Sequence, residues 1–192
     1  MFETDPSSPF LDGALLIASP AIGDPRFEGS VIFLCTHSDQ GAMGLVLNRT
    51  AQGIEFPDLA EQLKLPRIVR NPEVPVLIGG PVEPSRGFVL HSSDYALDRA
   101  TLRVNDDFAM TGNVDVLRDL ARGRGPRRAM LALGHSSWGP GQLEQELKDC
   151  AWLTTEASRE IVFATQPELM WSACLSRLGI EPGMLHAAAG RA

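Results

Sequence analysis

The chain has 192 residues, 44% of them hydrophobic, which is enough to fill the core of one ordinary domain. Seventeen basic residues against twenty-four acidic ones give a net charge of −7; that balance repels a phosphate backbone and sets direct nucleic-acid binding at a disadvantage. The first residues, Met1 to Pro6, lack a basic and then apolar leader, and no later run approaches the roughly 18 apolar residues of a membrane span. A cytoplasmic protein is expected, with one domain over 1–192 whose first ten residues form a flexible tail.

In chain order, Leu11 to Ala18 is the first strand candidate. Ser30 to His37 and Met43 to Asn48 follow, joined by Ser38-Asp39-Gln40-Gly41, whose Asp and Gly suit a hairpin reversal. Both runs are nearly continuous in apolar residues, which predicts strands covered on both faces, by helices on one side and more sheet on the other. The polar segment from Gln52 to Pro75 reads as a surface helix followed by a peripheral loop. Val74 to Ile78, Gly87 to His91, Leu102 to Val104 and Arg128 to Leu133 are further strands. Asn113 caps a helix carrying Val114, Leu117 and Leu120 on one face, and a second helix opens at Pro140 with Leu143 and Leu147 inward. Thr165-Gln166-Pro167-Glu168 reads as a capping box for a third, whose Trp171, Cys174, Leu175 and Leu178 face the core before Gly179 ends it. Early strands and late helices, without regular alternation, predict an α+β fold with a mixed, largely antiparallel sheet.

The densest cluster of chemistry is Gly134-His135-Ser136-Ser137-Trp138-Gly139, expected as a turn between a strand and a helix. It resembles a nucleophile elbow, but Trp138 stands where the second glycine belongs, so His135 and Ser136, with Ser137 and His91 as further partners, are secondary catalytic candidates. Gly79-Gly80-Pro81-Val82 lacks the Lys and Ser/Thr of a phosphate loop and predicts a turn needing positive φ. Asp24 can cap the turn at Pro25-Arg26-Phe27. Asn48 and Arg49 place an amide and a guanidinium at a strand end, where Arg49 can hold an anion or close an internal ion pair. His37 and His91 are proton-carrier candidates by residue type, with capping hydrogen bonds as their expected work. Arg118, Arg122, Arg124, Arg127 and Arg128 read as a solvated loop at a helix C-terminus, where the macrodipole favours cations. Cys35, Cys150 and Cys174 lack paired spacing and are expected as reduced, buried thiols. The four histidines show no short ligand spacing, so neither metal nor cofactor is expected.

Five ordered blocks carry a family resemblance: Asp24-Pro25-Arg26-Phe27, Gly41 to Arg49, Gly79 to Val82, Arg86 to His91, and Trp138 to Glu144. From about Leu11 onward the chain resembles the YqgE/AlgH family of bacterial proteins, whose biochemical activity is not established. The resemblance implies a barrel-like, bifurcated sheet surrounded by helices. It also passes on a transcriptional-regulator label, which the acidic composition and the lack of a helix-turn-helix do not support as direct DNA binding. His135 stands where the family usually has tyrosine, Cys150 where a polar residue is common, and Arg191 in place of a terminal histidine.

The leading functional expectation is a non-enzymatic module that binds a protein or small-molecule partner, any regulatory role being indirect. Its candidate residues are Asn48, Arg49, Gly80, Pro81, His91, Trp138 and Gln142, because turn glycines, an indole and a guanidinium gather there without a catalytic set. A serine-type hydrolase or transferase and a direct transcriptional regulator are the alternatives.

Overall fold

In the computed structural model, which describes residues 10–66 and 73–181, one long strand organises the rest. Strand β8 (Ala129–Trp138) pairs along one edge with β5 (Val82–Ser92). Its other edge is divided. The first half pairs in parallel with β4 (Val76–Ile78), through Val76 opposite Leu131. The second half pairs antiparallel with β3 (Gly41–Val46), through Gly44 opposite Ser136. The sheet therefore forks at the middle of β8, and its order is β6 (Thr101–Arg103), β7 (Phe108–Thr111), β5, β8, β3, β2 (Val31–Ser38), β1 (Ala14–Ala18), β9 (Trp152–Glu156). It curls into an antiparallel half-barrel with, among the described residues, five α-helices around it, so the fold is α+β.

The fork depends on absent side chains. Gly134 has φ +72°, a left-handed conformation that bends β8 without ending it, and a Cβ there would lie 2.5 Å from the Gly80 carbonyl oxygen. Gly80, at φ +154°, rests its backbone on His135, where a Cβ would sit 2.2 Å from the carbonyl carbon. Only glycine tolerates both the conformation and the approach. The expected turn at Gly134 to Gly139 is corrected accordingly: the strand runs on to Trp138, because a glycine that looks like a terminator is the bend at a backbone crossing.

The β2–β3 hairpin forms, with its turn tightened to Asp39-Gln40 and a register slip between Leu34 and Thr36. Alternation sends Phe33 and Cys35 inward and Ile32 and Leu34 outward. The inner face meets Phe108 of β7 and two helices, α4 (Arg159–Ala164) and α5 (Pro167–Arg177). The outer face is covered by α3 (Gln142–Lys148) through Leu143. A third cluster seats α1 (Phe56–Gln62) and α2 (Asp115–Ala121) through Phe56, Val116, Leu117 and Leu120. Phe56 and Ala60 are buried, so α1 is part of the packing and not the surface helix expected within 52–75; residues 67–72 of that segment lie outside the described residues.

Helix boundaries differ from expectation in instructive ways. Helix α4 was not legible; Ser158 caps it, its Oγ accepting from the Ile161 amide at 3.3 Å. Thr165 follows α4 and donates to the Glu160 carbonyl instead of forming a capping box, and Gln166 caps α5 without a side-chain bond. Leu178, expected in the core, is exposed at the helix end. Helix α3 starts at Gln142, two residues after Pro140, because Gly141 at φ +73° finishes the preceding turn. Asn113 Oδ1 accepts from the Asp115 amide at 2.8 Å, as a capping residue should. Cys35 and Cys174 are buried, and burial pushes their thiols up to about 12 and about 11. Cys150 is corrected to exposed, in a left-handed turn at φ +56°.

Candidate functional site

The far end of β8 opens into a groove of about 450 Å³. One wall is the loop at Ile22 to Phe27, the floor is Ser137 and Trp138 of β8, and the other walls come from Pro81 and Val82 and from Gln142 and Glu146 of α3. Of the residues singled out in the sequence, Pro81, Trp138 and Gln142 meet here. Larger concavities lie at the opposite end of β8 and between Trp171 and the same loop, but none gathers these groups.

Each wall has a cause. The loop at Asp24 to Gly29 is tied down by Asn48, whose Oδ1 accepts from the Val31 amide at 2.9 Å and whose Nδ2 donates to the Gly29 carbonyl at 2.8 Å. Arg49 donates to the Glu28 carbonyl at 3.2 Å. These two residues hold the groove wall from behind, and Gly80 lets the Pro81 segment ride close over β8. Within the loop, Arg26 makes a two-pronged contact with Asp24, with its Nε at 3.0 Å from both carboxylate oxygens and Nη2 at 2.6 Å from Oδ2. Hydrogen bonds from Arg26 hold the Asp24 carboxyl below its usual range. Phe27 packs edge-on against Trp152, and Trp152 against Trp138, so an aromatic row joins loop to sheet.

Glu146 is the hub that the sequence did not reveal. Its Oε2 accepts from the indole nitrogens of Trp138 at 2.9 Å and Trp152 at 2.7 Å, and its Oε1 accepts from Gln142 Nε2 at 2.9 Å. Gln142 Oε1 in turn accepts from the Gly139 amide at 3.0 Å. The spacing Gln142 to Glu146 is one helical turn, which is the available clue; the tryptophans come from separate strands and give no local signal. Both indoles are buried, so their N–H groups require such an acceptor.

The remaining candidates lie elsewhere or face apart. His135 and Ser136 are neighbours on a strand and so point to opposite faces. Ser136 is 1% exposed and its Oγ donates to the Gly79 carbonyl at 3.5 Å. His135 sits against Phe88, with Nδ1 3.8 Å from Glu83, and burial lowers its pKa. His91 is fully buried in β5: Nδ1 donates to the Ser92 carbonyl at 2.9 Å, so Nε2 accepts from Thr111 Oγ1 at 2.9 Å. His37 accepts the Leu11 amide at Nδ1 and therefore donates from Nε2 to Glu144 at 3.0 Å. Among the described residues, no group of three or more His, Cys, Asp or Glu side chains could hold a metal ion, and no helix is long and apolar enough to cross a membrane.

A forked, curled sheet with helices on both faces and a groove at the end of its shared strand defines the class of protein. Within that class, the AlgH-like family model matches residues 15–183, and the chain belongs to that family. It is 51% identical over 183 residues to a UPF0301 protein of Jannaschia sp. strain CCS1, covering 95% of each chain. It is 52% identical over 183 residues to a UPF0301 protein of Ruegeria pomeroyi, covering 95% of this chain and 99% of that one. Its fold is similar to the solution structure of the AlgH protein from Pseudomonas aeruginosa, with 42% identity, a TM-score of 0.79 and full coverage of both chains. A Corynebacterium diphtheriae protein, DIP2367, shares the fold at 23% identity and a TM-score of 0.70.

Proposed function

We propose that this chain is a cytoplasmic, non-enzymatic binding module whose protein or small-molecule partner enters the groove at the end of β8, and that any regulatory role is indirect, exerted through that partner. The observation that carries this reading is the convergence of Pro81, Trp138 and Gln142 on one concavity walled by Asp24 and Arg26. Exposed apolar surface on Pro81 and Val82 beside the exposed Ser137 hydroxyl suits a ligand that is apolar on one side and polar on the other. A serine hydrolase has less support, since Ser136 is enclosed and its neighbouring imidazole faces away. Direct DNA binding has less support too, given the acidic groove components Asp24 and Glu146 and the net charge of −7.

The test fills the groove without removing any core group. Ser137 is exposed, so Ser137→Arg should leave the melting temperature within about 2 °C of wild type. Affinity capture from native cytoplasm with wild type and with Ser137→Arg, read by mass spectrometry of proteins and retained metabolites, should show a species held only by wild type. An identical set of retained species from both would overturn the assignment.

A further inference from the structure

At the opposite end of β8, two concavities of about 730 and 550 Å³ adjoin, and both are lined by Arg127, Arg128 and Phe163. These volumes fall in the range of small-molecule sites. The arginines are anomalous for so acidic a chain. Although twenty-four carboxylates are available to seventeen cations, the guanidinium groups of Arg122, Arg124 and Arg128 have no carboxylate partner among the described residues. Arg127 reaches Asp94 only at 3.9 Å and is 89% exposed. Asp94 is already engaged, accepting from Ser92 Oγ and from the Arg127 amide. Neighbouring Arg159 is satisfied by Asp107 at 2.8 Å, which leaves Arg128 without a carboxylate among the described residues and Arg127 held only by its long contact to Asp94.

We propose that this pair, with the ring of Phe163, binds a phosphomonoester carried on an aromatic or apolar group. Guanidinium forks match phosphate oxygens in a bidentate manner, and an aromatic ring gives a flat group something to stack on. The first concavity also holds one carboxylate, Glu73, and the second holds two, Asp94 and Glu160. Those charges oppose an extended polyanion such as a nucleic-acid backbone, while a single compact phosphate can sit at the wall the two concavities share. The site is separate from the groove at Trp138 and does not depend on what that groove holds.

Calorimetric titration with AMP, adenosine and inorganic phosphate tests the proposal. Wild type should bind AMP saturably, and adenosine at least about tenfold more weakly, because charge-assisted hydrogen bonds to the phosphate supply the difference. The Arg127→Ala/Arg128→Ala double variant should lose AMP affinity about tenfold or more; both side chains are exposed, so its fold and melting temperature should be unchanged. Phe163→Leu keeps an apolar side chain in place and should weaken AMP about fivefold while leaving phosphate binding as it was. Ser137→Arg should bind AMP like wild type. The proposal is overturned if wild type shows no saturable AMP binding, if the double variant binds AMP as well as wild type does, or if adenosine binds as well as AMP.

Discussion

The two ends of β8 use their polar side chains in opposite ways. At the Trp138 end nearly every polar tip is spent inside the fold: Glu146 serves two indoles and Gln142, Asn48 holds the loop, and Arg26 is closed onto Asp24. At the Ala129 end Arg127 makes only a long ion pair with Asp94, and Arg128 has no carboxylate partner among the described residues. The contrast separates a site whose shape is built by internal bonds from one whose charge is left over for something else. Mutations of these internally bonded groups at the first end should therefore cost stability, and mutations of the arginines at the second should cost only binding.

The largest expected effect breaks the fork itself. Gly134→Ala forces a Cβ into a left-handed residue 2.5 Å from the Gly80 oxygen. A loss of about 3 kcal/mol or more is expected, seen as a fall in melting temperature of about 10 °C. Next comes the hub. Glu146→Leu leaves two buried indole N–H groups without their acceptor and should cost about 2–3 kcal/mol in denaturant unfolding, with altered tryptophan fluorescence.

A smaller effect is set by pH inside the Ala129 end, where His91 pairs opposite Ala129. Burial lowers the His91 pKa from its ordinary 6.5, so the folded chain keeps the imidazole neutral while the unfolded chain takes up a proton. Stability from this source is complete above pH 6.5 and is lost as pH falls below it. The melting temperature should drop more between pH 7.5 and 5.5 in wild type than in His91→Gln, with His135, lowered by burial in the same way, supplying part of the remaining slope. The smallest effect sharpens the comparison: Arg127→Ala/Arg128→Ala should change unfolding free energy by no more than about 0.5 kcal/mol.

How much of this was legible follows from the range of each interaction. The β2–β3 hairpin, the inward stripe of α5 at Cys174 and Leu175, and the α+β class rest on local pattern and were readable. Pro81, Trp138 and Gln142 stand apart in the sequence, and nothing local shows that they share a groove while His91 lies deep in another strand pair. The continuation of β8 through Gly134 was not readable, because the bend is imposed by a backbone more than fifty residues away, at Gly80, and a glycine seen alone looks like a stop. The role of Glu146 was hidden for the same reason: Trp138 and Trp152 reach it from separate strands. Helix α4 is six residues long and carries too few turns for a periodic signal.

The most direct test of the central claim, that the Trp138 end of β8 receives a partner, uses the three indole N–H signals of the chain in a nitrogen-15 correlation spectrum. Trp138 lines the groove and Trp152 meets it through Glu146, while Trp171, whose Nε1 donates to the Ala18 carbonyl at 2.9 Å, is not one of the groove's lining residues. On adding the species captured by wild type, the Trp138 and Trp152 signals and the Gln142 side-chain amide should move while Trp171 stays. A complex evident from slowed diffusion that leaves all three indoles and Gln142 unmoved would contradict the account.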